Sequence, residues 1–118
     1  MQMLSAARVY FAPRITSVTF AGEVDPTKPT ITGWSWVTFE TLNDVQSVQY
    51  RHRINGGAWS GYTNINTSPN TPGYETAHVE GTPGEDIDFE LVPYPGDNGV
   101  GTPGATSSAS GDIGGGGA

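Results

Sequence analysis

Apolar and polar residues alternate in short runs along most of this chain, and turn-forming residues separate the runs. Alternation with a period of two places successive side chains on opposite faces of a β-strand. In residues 86–91, Ile87, Phe89 and Leu91 alternate with acidic residues. This pattern predicts a strand whose three apolar side chains face a core.

Residues 45–54 show the same alternation. Val48, Tyr50 and Ile54 are predicted to face the core. The other face carries Ser47, Gln49, Arg51 and Arg53. Asn55-Gly56-Gly57 follows, and Asn-Gly supplies the positive φ angles of a tight hairpin. The chain is therefore predicted to reverse there, with Trp59 opening the returning strand.

Similar runs predict further strands at residues 15–20, 31–41, 60–67, 74–80 and 105–110. In the first of them, Val18 and Phe20 are predicted to face inward. In residues 31–41, Trp34 and Trp36 share one face, but apolar residues also occupy the other. The pattern therefore leaves open which tryptophan is buried.

The regular spacing of these strands and turns predicts an all-β fold, an antiparallel two-sheet sandwich of about seven strands. The sandwich is expected to span residues 14–110. Residues 1–13 are predicted to form an N-terminal arm, and the Gly-rich residues 111–118 a tail or linker.

Composition supports this fold class and excludes several functions. The 118 residues include 17 Gly and 9 Pro, which disfavours long helices. The absence of Cys excludes disulfides and thiolate chemistry. A formal net charge of −7 with few Lys and Arg argues against nucleic acid as a partner. No apolar run is long enough for a membrane span. The first residues lack a secretory-signal pattern, so synthesis without export is expected.

Several motifs resemble a fibronectin type III domain. Val48-Gln49-Tyr50-Arg51 followed by Gly56-Gly57-Ala58-Trp59 looks like that family's third strand and hairpin. Thr82-Pro83-Gly84, Asp88-Phe89-Glu90-Leu91 and the run from Asn98 to Pro103 look like its later turn, sixth strand and last loop. The resemblance covers roughly residues 14–110 and implies that family's sandwich. An immunoglobulin-like sandwich of another subtype is the alternative. The Gly-Gly-Ala-Trp hairpin is most similar to domains of tailed-bacteriophage structural proteins.

Catalytic and metal-binding patterns are not found in the sequence. His52 and His78 lack metal-ligand spacing, and no nucleophile elbow occurs, so no enzyme activity, metal or cofactor is expected. Asp86, Asp88 and Glu90 form an acidic stripe. In a fibronectin-like sandwich this stripe would neighbour the two arginines of the third strand. Cross-strand charge pairs are the favoured interpretation, and a calcium or glycan patch is the alternative.

Aromatic side chains are the main candidates for binding. Surface binding is assigned to Trp34, Trp59, Tyr62, Tyr74 and Tyr94, because so small a core cannot bury them all. Ordinary cross-strand packing is the alternative for each. The arm carries apolar residues that a solvated leader does not need, and these are predicted to dock on a neighbour: Leu4, Val9, Tyr10 and Phe11.

These observations predict a non-enzymatic structural or adhesion module of a bacteriophage virion, in the capsid or tail. The expected partners are other virion subunits and, weakly, a glycan of the host surface, but neither nucleic acid nor membrane. The alternative is a spacer or carbohydrate-binding fibronectin type III module of a larger extracellular bacterial protein.

Overall fold

A computed structural model describes residues 12–25, 32–67 and 73–114 of the chain. The strands are β1 (Arg14–Asp25), β2 (Thr32–Leu42), β3 (Ser47–Ile54), β4 (Thr63–Asn66), β5 (Tyr74–Glu75), β6 (Val79–Gly81), β7 (Asp86–Tyr94) and β8 (Ser107–Asp112). A single turn of 3-10 helix, Asp97–Gly99, lies between β7 and β8. The strand predicted at residues 74–80 is thus two short strands.

The strands form two antiparallel sheets. In the first sheet, β2 pairs with β1 along one side and with both β5 and β6 along the other. The second sheet has the order β4-β3-β7-β8. The predicted all-β, two-sheet sandwich is therefore confirmed, with eight strands in the described part of the chain.

The core lies between the sheets and includes the inward-facing residues that the alternation predicts in β3 and β7. The residues that share this core are Val37, Phe39, Val45, Val48, Tyr50, Ile87, Phe89, Leu91 and Ile113. Val18, Phe20 and Ile54 are partly buried against them, as expected of their inward positions. Tyr50 and Leu91 are directly paired between β3 and β7. The two strands are therefore neighbours, as expected, and their apolar faces point the same way.

β2 resolves the ambiguity between its two faces. Ser35, Val37 and Phe39 are fully buried, whereas Trp34 and Trp36 are half-buried on the outer face of the first sheet. Neither tryptophan therefore belongs to the core. The inward-facing residues Val37 and Phe39 fill the space between the sheets.

Ser47 lies on the outward side of β3, as the alternation predicts, and yet it is fully buried. Its hydroxyl donates to the carbonyl oxygen of Gly96 at 2.6 Å and accepts from the backbone N–H of Gly99 at 2.9 Å. The loop after β7 folds over the outer face at this point. Because the hydroxyl both donates and accepts a hydrogen bond, its burial costs little free energy.

Residues 111–114 differ from the tail or linker predicted for residues 111–118. β8 runs to Asp112, Gly111 pairs with Ile87, and Ile113 is only 1% exposed. The backbone N–H of Ile113 donates to the carbonyl of Glu85 at 2.7 Å, and its carbonyl accepts from Gly84 at 3.0 Å. The sandwich thus extends at least to Gly114, beyond the boundary predicted at residue 110.

Candidate functional site

The outer face of the second sheet carries a connected set of charged and aromatic side chains. We call it the arginine–aromatic face and define it by Arg51, Arg53, Trp59, Tyr62, Asp88 and Glu90. Arg51 and Arg53 point outward from β3 because Tyr50 points inward. Glu90 and Asp88 lie directly opposite them on β7. The register of β3 and β7 therefore aligns two cations with two carboxylates.

Both predicted cross-strand charge pairs are present. The Arg51 guanidinium donates through Nε at 2.9 Å and Nη2 at 2.7 Å to Oε1 of Glu90. Nε of Arg53 donates to Oδ2 of Asp88 at 2.8 Å, and the Ser110 hydroxyl donates to Oδ1 at 2.7 Å. The Ser110 hydrogen bond and the Arg53 guanidinium lower the pKa of Asp88. These contacts hold both guanidiniums in fixed positions.

Two aromatic rings lie against these guanidiniums. Cζ of Arg51 is 4.5 Å and Cζ of Arg53 is 4.4 Å from the centre of the Trp59 ring. Cζ of Arg51 is also 4.9 Å from the centre of the Tyr62 ring. Such cation–π contacts are worth about 0.5–2 kcal/mol each, depending on exposure. The rings are therefore positioned by the arginines, and Tyr62 remains 48% exposed.

The hairpin after β3 brings Trp59 over the arginines. Asn55 and Gly56 have φ angles of 52° and 67°, the left-handed values predicted from the Asn-Gly sequence. The backbone N–H of Ser60 then donates to the carbonyl of His52 at 2.8 Å, which returns the chain along β3. Trp59 is the residue before Ser60, so this hydrogen bond also holds Trp59 close to β3, across the outer face.

A row of side-chain amides extends the face towards the β7–β8 loop. Asn64 Nδ2 donates to Asn66 Oδ1 at 2.8 Å, and Asn66 Nδ2 donates to Asn98 Oδ1 at 3.2 Å. Gln49 lies beside Asn64 in the register of β3 and β4. Tyr94 is at the same end, half-buried on the outward side of β7. The face therefore combines aromatic surface with both hydrogen-bond donors and hydrogen-bond acceptors.

The opposite end of this face is acidic. A hollow of about 490 Å³ is lined by Asn55, Gly56, Asp86, Asp88, Ser110, Gly111 and Asp112. Asp86 and Asp112 are paired directly across β7 and β8. Among residues 12–25, 32–67 and 73–114, no three acidic, His or Cys residues are grouped so that they could hold a metal ion.

The remaining predicted candidates are placed elsewhere. Trp34 lies on the outer face of the first sheet, on the other side of the sandwich, where it meets His78. Tyr74 stacks on Phe39, its cross-strand partner, with ring centres 5.7 Å apart, and is partly buried against the core. This contact is the cross-strand packing named as the alternative to surface binding. The docking candidates Leu4, Val9, Tyr10 and Phe11 lie outside the described residues.

Sequence reasoning did not assign Arg51 and Arg53 to the candidate site, nor the amides Gln49, Asn64, Asn66 and Asn98. The alternation in β3 predicts that Arg51 and Arg53 point outward. Their contacts with Trp59 could not be predicted, because they depend on the path of the chain after the hairpin. The amides of β3, β4 and the β7–β8 loop are distant in sequence, and the sheet brings them together.

The chain matches no protein-family model, no curated protein and no solved structure. Its architecture defines its class, which is an all-β sandwich of two antiparallel sheets. The part of the chain that the structure describes has no helix long and apolar enough to cross a membrane.

Proposed function

We propose that this protein is a non-enzymatic adhesion module that binds carbohydrate through the arginine–aromatic face. The observation that carries the proposal is the position of Trp59, which is held by Arg51 and Arg53 beside paired carboxylates and a row of amides. An aromatic ring has a negative face that attracts the C–H groups of a sugar ring. Carboxylate, guanidinium and amide groups next to it can exchange hydrogen bonds with sugar hydroxyls.

The charges favour a neutral sugar over an anionic one. Arg51 and Arg53 are each paired with a carboxylate, so neither offers an unbalanced positive charge. Asp86 and Asp112 place two further carboxylates at one end of the face. An anionic ligand would be repelled there, whereas neutral hydroxyls can donate to the carboxylate oxygens.

The wider setting we propose is a fibronectin type III-like subunit of a bacteriophage virion, in the capsid or tail. The order of the two sheets and the motifs around β3 and β7 are compatible with that family. In this setting residues 1–13 would dock on other virion subunits and the arginine–aromatic face would meet the host surface. The alternative proposal is a spacer or carbohydrate-binding module of an extracellular bacterial protein.

Carbohydrate binding can be tested with the full chain on an array of neutral and sialylated glycans, followed by calorimetry on the neutral glycans that bind. Trp59→Ala is expected to weaken binding about tenfold or more, because it removes the stacking surface. Trp34→Ala is the matched control, since it removes a half-buried tryptophan from the opposite face. Absence of binding to any glycan, or equal losses in both variants, would overturn the proposed site.

The virion assignment needs a separate test, which is assembly of particles with a chain that lacks residues 1–13. A docking subunit is expected to be lost from the particle. The isolated domain is expected to stay folded and to lose only the stability that Ala12 and Pro13 contribute. Normal incorporation of the truncated chain would instead favour the spacer-module alternative.

A further inference from the structure

The outer face of the first sheet carries a second aromatic cluster, which the proposed carbohydrate site does not use. His78 stacks on Trp36 with ring centres 3.9 Å apart and planes inclined by 15°. It also meets Trp34 edge-on, with ring centres 6.3 Å apart. We call Trp34, Trp36 and His78, together with the carboxylates beside them, the tryptophan–histidine face.

Carboxylates surround this cluster. Glu23 of β1 and Glu80 of β6 are the direct cross-strand neighbours of Trp34, one on each side. Both glutamates are exposed. Glu75 lies 3.9 Å from Nε2 of His78, measured from its Oε1. The indole of Trp34 is therefore flanked by two negative charges on a surface that is open to solvent.

No Lys or Arg among the described residues balances these charges. Arg51 and Arg53 are paired on the opposite face of the sandwich. Arg14 is at the far end of β1, opposite Leu42. The chain's other two cations, Arg8 and Lys28, lie outside the described residues. An indole face between two carboxylates is an environment that stabilises a guanidinium or ammonium group.

We propose that the tryptophan–histidine face receives the N-terminal arm of a second copy of this chain, with Arg8 of the arm against Trp34 and between Glu23 and Glu80. Residues 1–11 contain Arg8 and no acidic residue, and they also carry Tyr10 and Phe11. The arm thus complements the face both in charge and in aromatic character. This inference rests on the docking role proposed above for the arm and names its receptor.

The length of the chain requires that the arm come from another copy. The carbonyl of Ala12 accepts from Asn43 Nδ2 at 3.0 Å, which fixes the base of the arm near the start of β1. Glu23 lies near the other end of β1, and Trp34 lies opposite it on β2. At about 3.3 Å per residue, both are roughly 30 Å from Arg14 at the start of β1. Residues 8 and 12 can be separated by at most about 14 Å. Arg8 cannot therefore reach Trp34 of its own chain.

The proposal can be tested with a labelled peptide of residues 1–13 titrated into the dilute full chain. Binding is expected to quench tryptophan fluorescence and to weaken about tenfold in Trp34→Ala. Trp59→Ala, on the opposite face, is the matched control and is expected to bind the peptide as the unchanged chain does. An Arg8→Glu peptide is expected to lose binding to the unchanged chain and to regain it with Glu80→Lys.

Analytical ultracentrifugation of the full chain measures its self-association and provides a second test. Association that increases with concentration and is lost in Arg8→Glu is expected. A chain that stays monomeric and binds no peptide, or peptide binding that is insensitive to both Trp34→Ala and Glu80→Lys, would overturn the inference. Glycan binding by the same variants reports on the arginine–aromatic face alone, so failure of that proposal would be seen separately.

Discussion

Ile113 packs directly over Gly81. A Cβ atom added to Gly81 would lie 2.7 Å from Cδ1 of Ile113, and one added to Gly33 would lie 2.8 Å from Cγ2 of the same side chain. Two strands of the first sheet thus present bare backbone to an isoleucine that follows the last strand of the second sheet. The contact joins the two sheets at one end of the sandwich, where Gly81 of β6 has no side chain of its own.

Replacement of Ile113 by Ala is expected to lower the free energy of unfolding by about 2–5 kcal/mol, since it empties a fully enclosed position. Urea unfolding followed by fluorescence measures this loss. Val100→Ala is the control, because Val100 is 63% exposed and its truncation should cost less than about 0.5 kcal/mol. Equal losses in the two variants would contradict the packing of Ile113 between the sheets.

Gly81→Ala is expected to destabilise the protein by about 1–3 kcal/mol, because the added methyl group overlaps the Ile113 side chain. Gly61→Ala provides a matched comparison, since nothing lies within 4 Å of a Cβ at that position. Its effect should be neutral or slightly stabilising. Thermal unfolding of both variants under one condition decides the point, and a stable Gly81→Ala protein would show that the contact is not tight.

Phe89→Ala is expected to cost about 3–5 kcal/mol, a large part of the stability of a domain of this size. Phe89 is fully buried and its ring contacts those of Phe20 and His52, with centres 6.3 and 6.2 Å away. Leu42→Ala, at a side chain that is 48% exposed, serves as the control in the same urea series. A cost below about 1 kcal/mol for Phe89→Ala would contradict the inward register of β7.

His52 is expected to make stability depend on pH in mildly acidic solution. Burial lowers the pKa of His52 from its ordinary value of 6.5, because the charged imidazole is poorly solvated beside Phe89. The unfolded chain therefore binds the proton more readily than the folded one. Neutral His52 contributes its full stabilisation at pH values above the unfolded-state pKa of 6.5. This stabilisation is lost as the pH falls from 6.5 through the lower pKa of the folded state.

The corresponding measurement is the free energy of unfolding at pH 7.5 and pH 5.5. His52→Gln is expected to flatten the decrease between them, whereas His78→Gln, at an exposed ring on the first sheet, should keep it. An unchanged slope in His52→Gln would mean that another group causes the dependence.

The sequence by itself determined the parts of this protein that depend on local periodicity. The period-two alternation around Phe89 and Tyr50 identified both core strands and their inward faces, because only one face of each strand is apolar. The same parity placed Arg51 outward, opposite a predicted acidic stripe. Asn55-Gly56 fixed the hairpin, since few other dipeptides accept two successive positive φ angles.

Only the tertiary structure decided which residues meet across the sheets. In the sequence, Trp34 and Trp59 are equivalent candidates for surface binding. The structure places Trp34 on the first sheet and Trp59 against the second, on opposite faces of the sandwich. It buried Ile113 although a run of glycines follows it, because Gly33 and Gly81 leave space that no local pattern records. It buried Ser47 beneath a distant loop. Alternation reports the direction of a side chain from its own strand, whereas burial depends on what another part of the chain places over it.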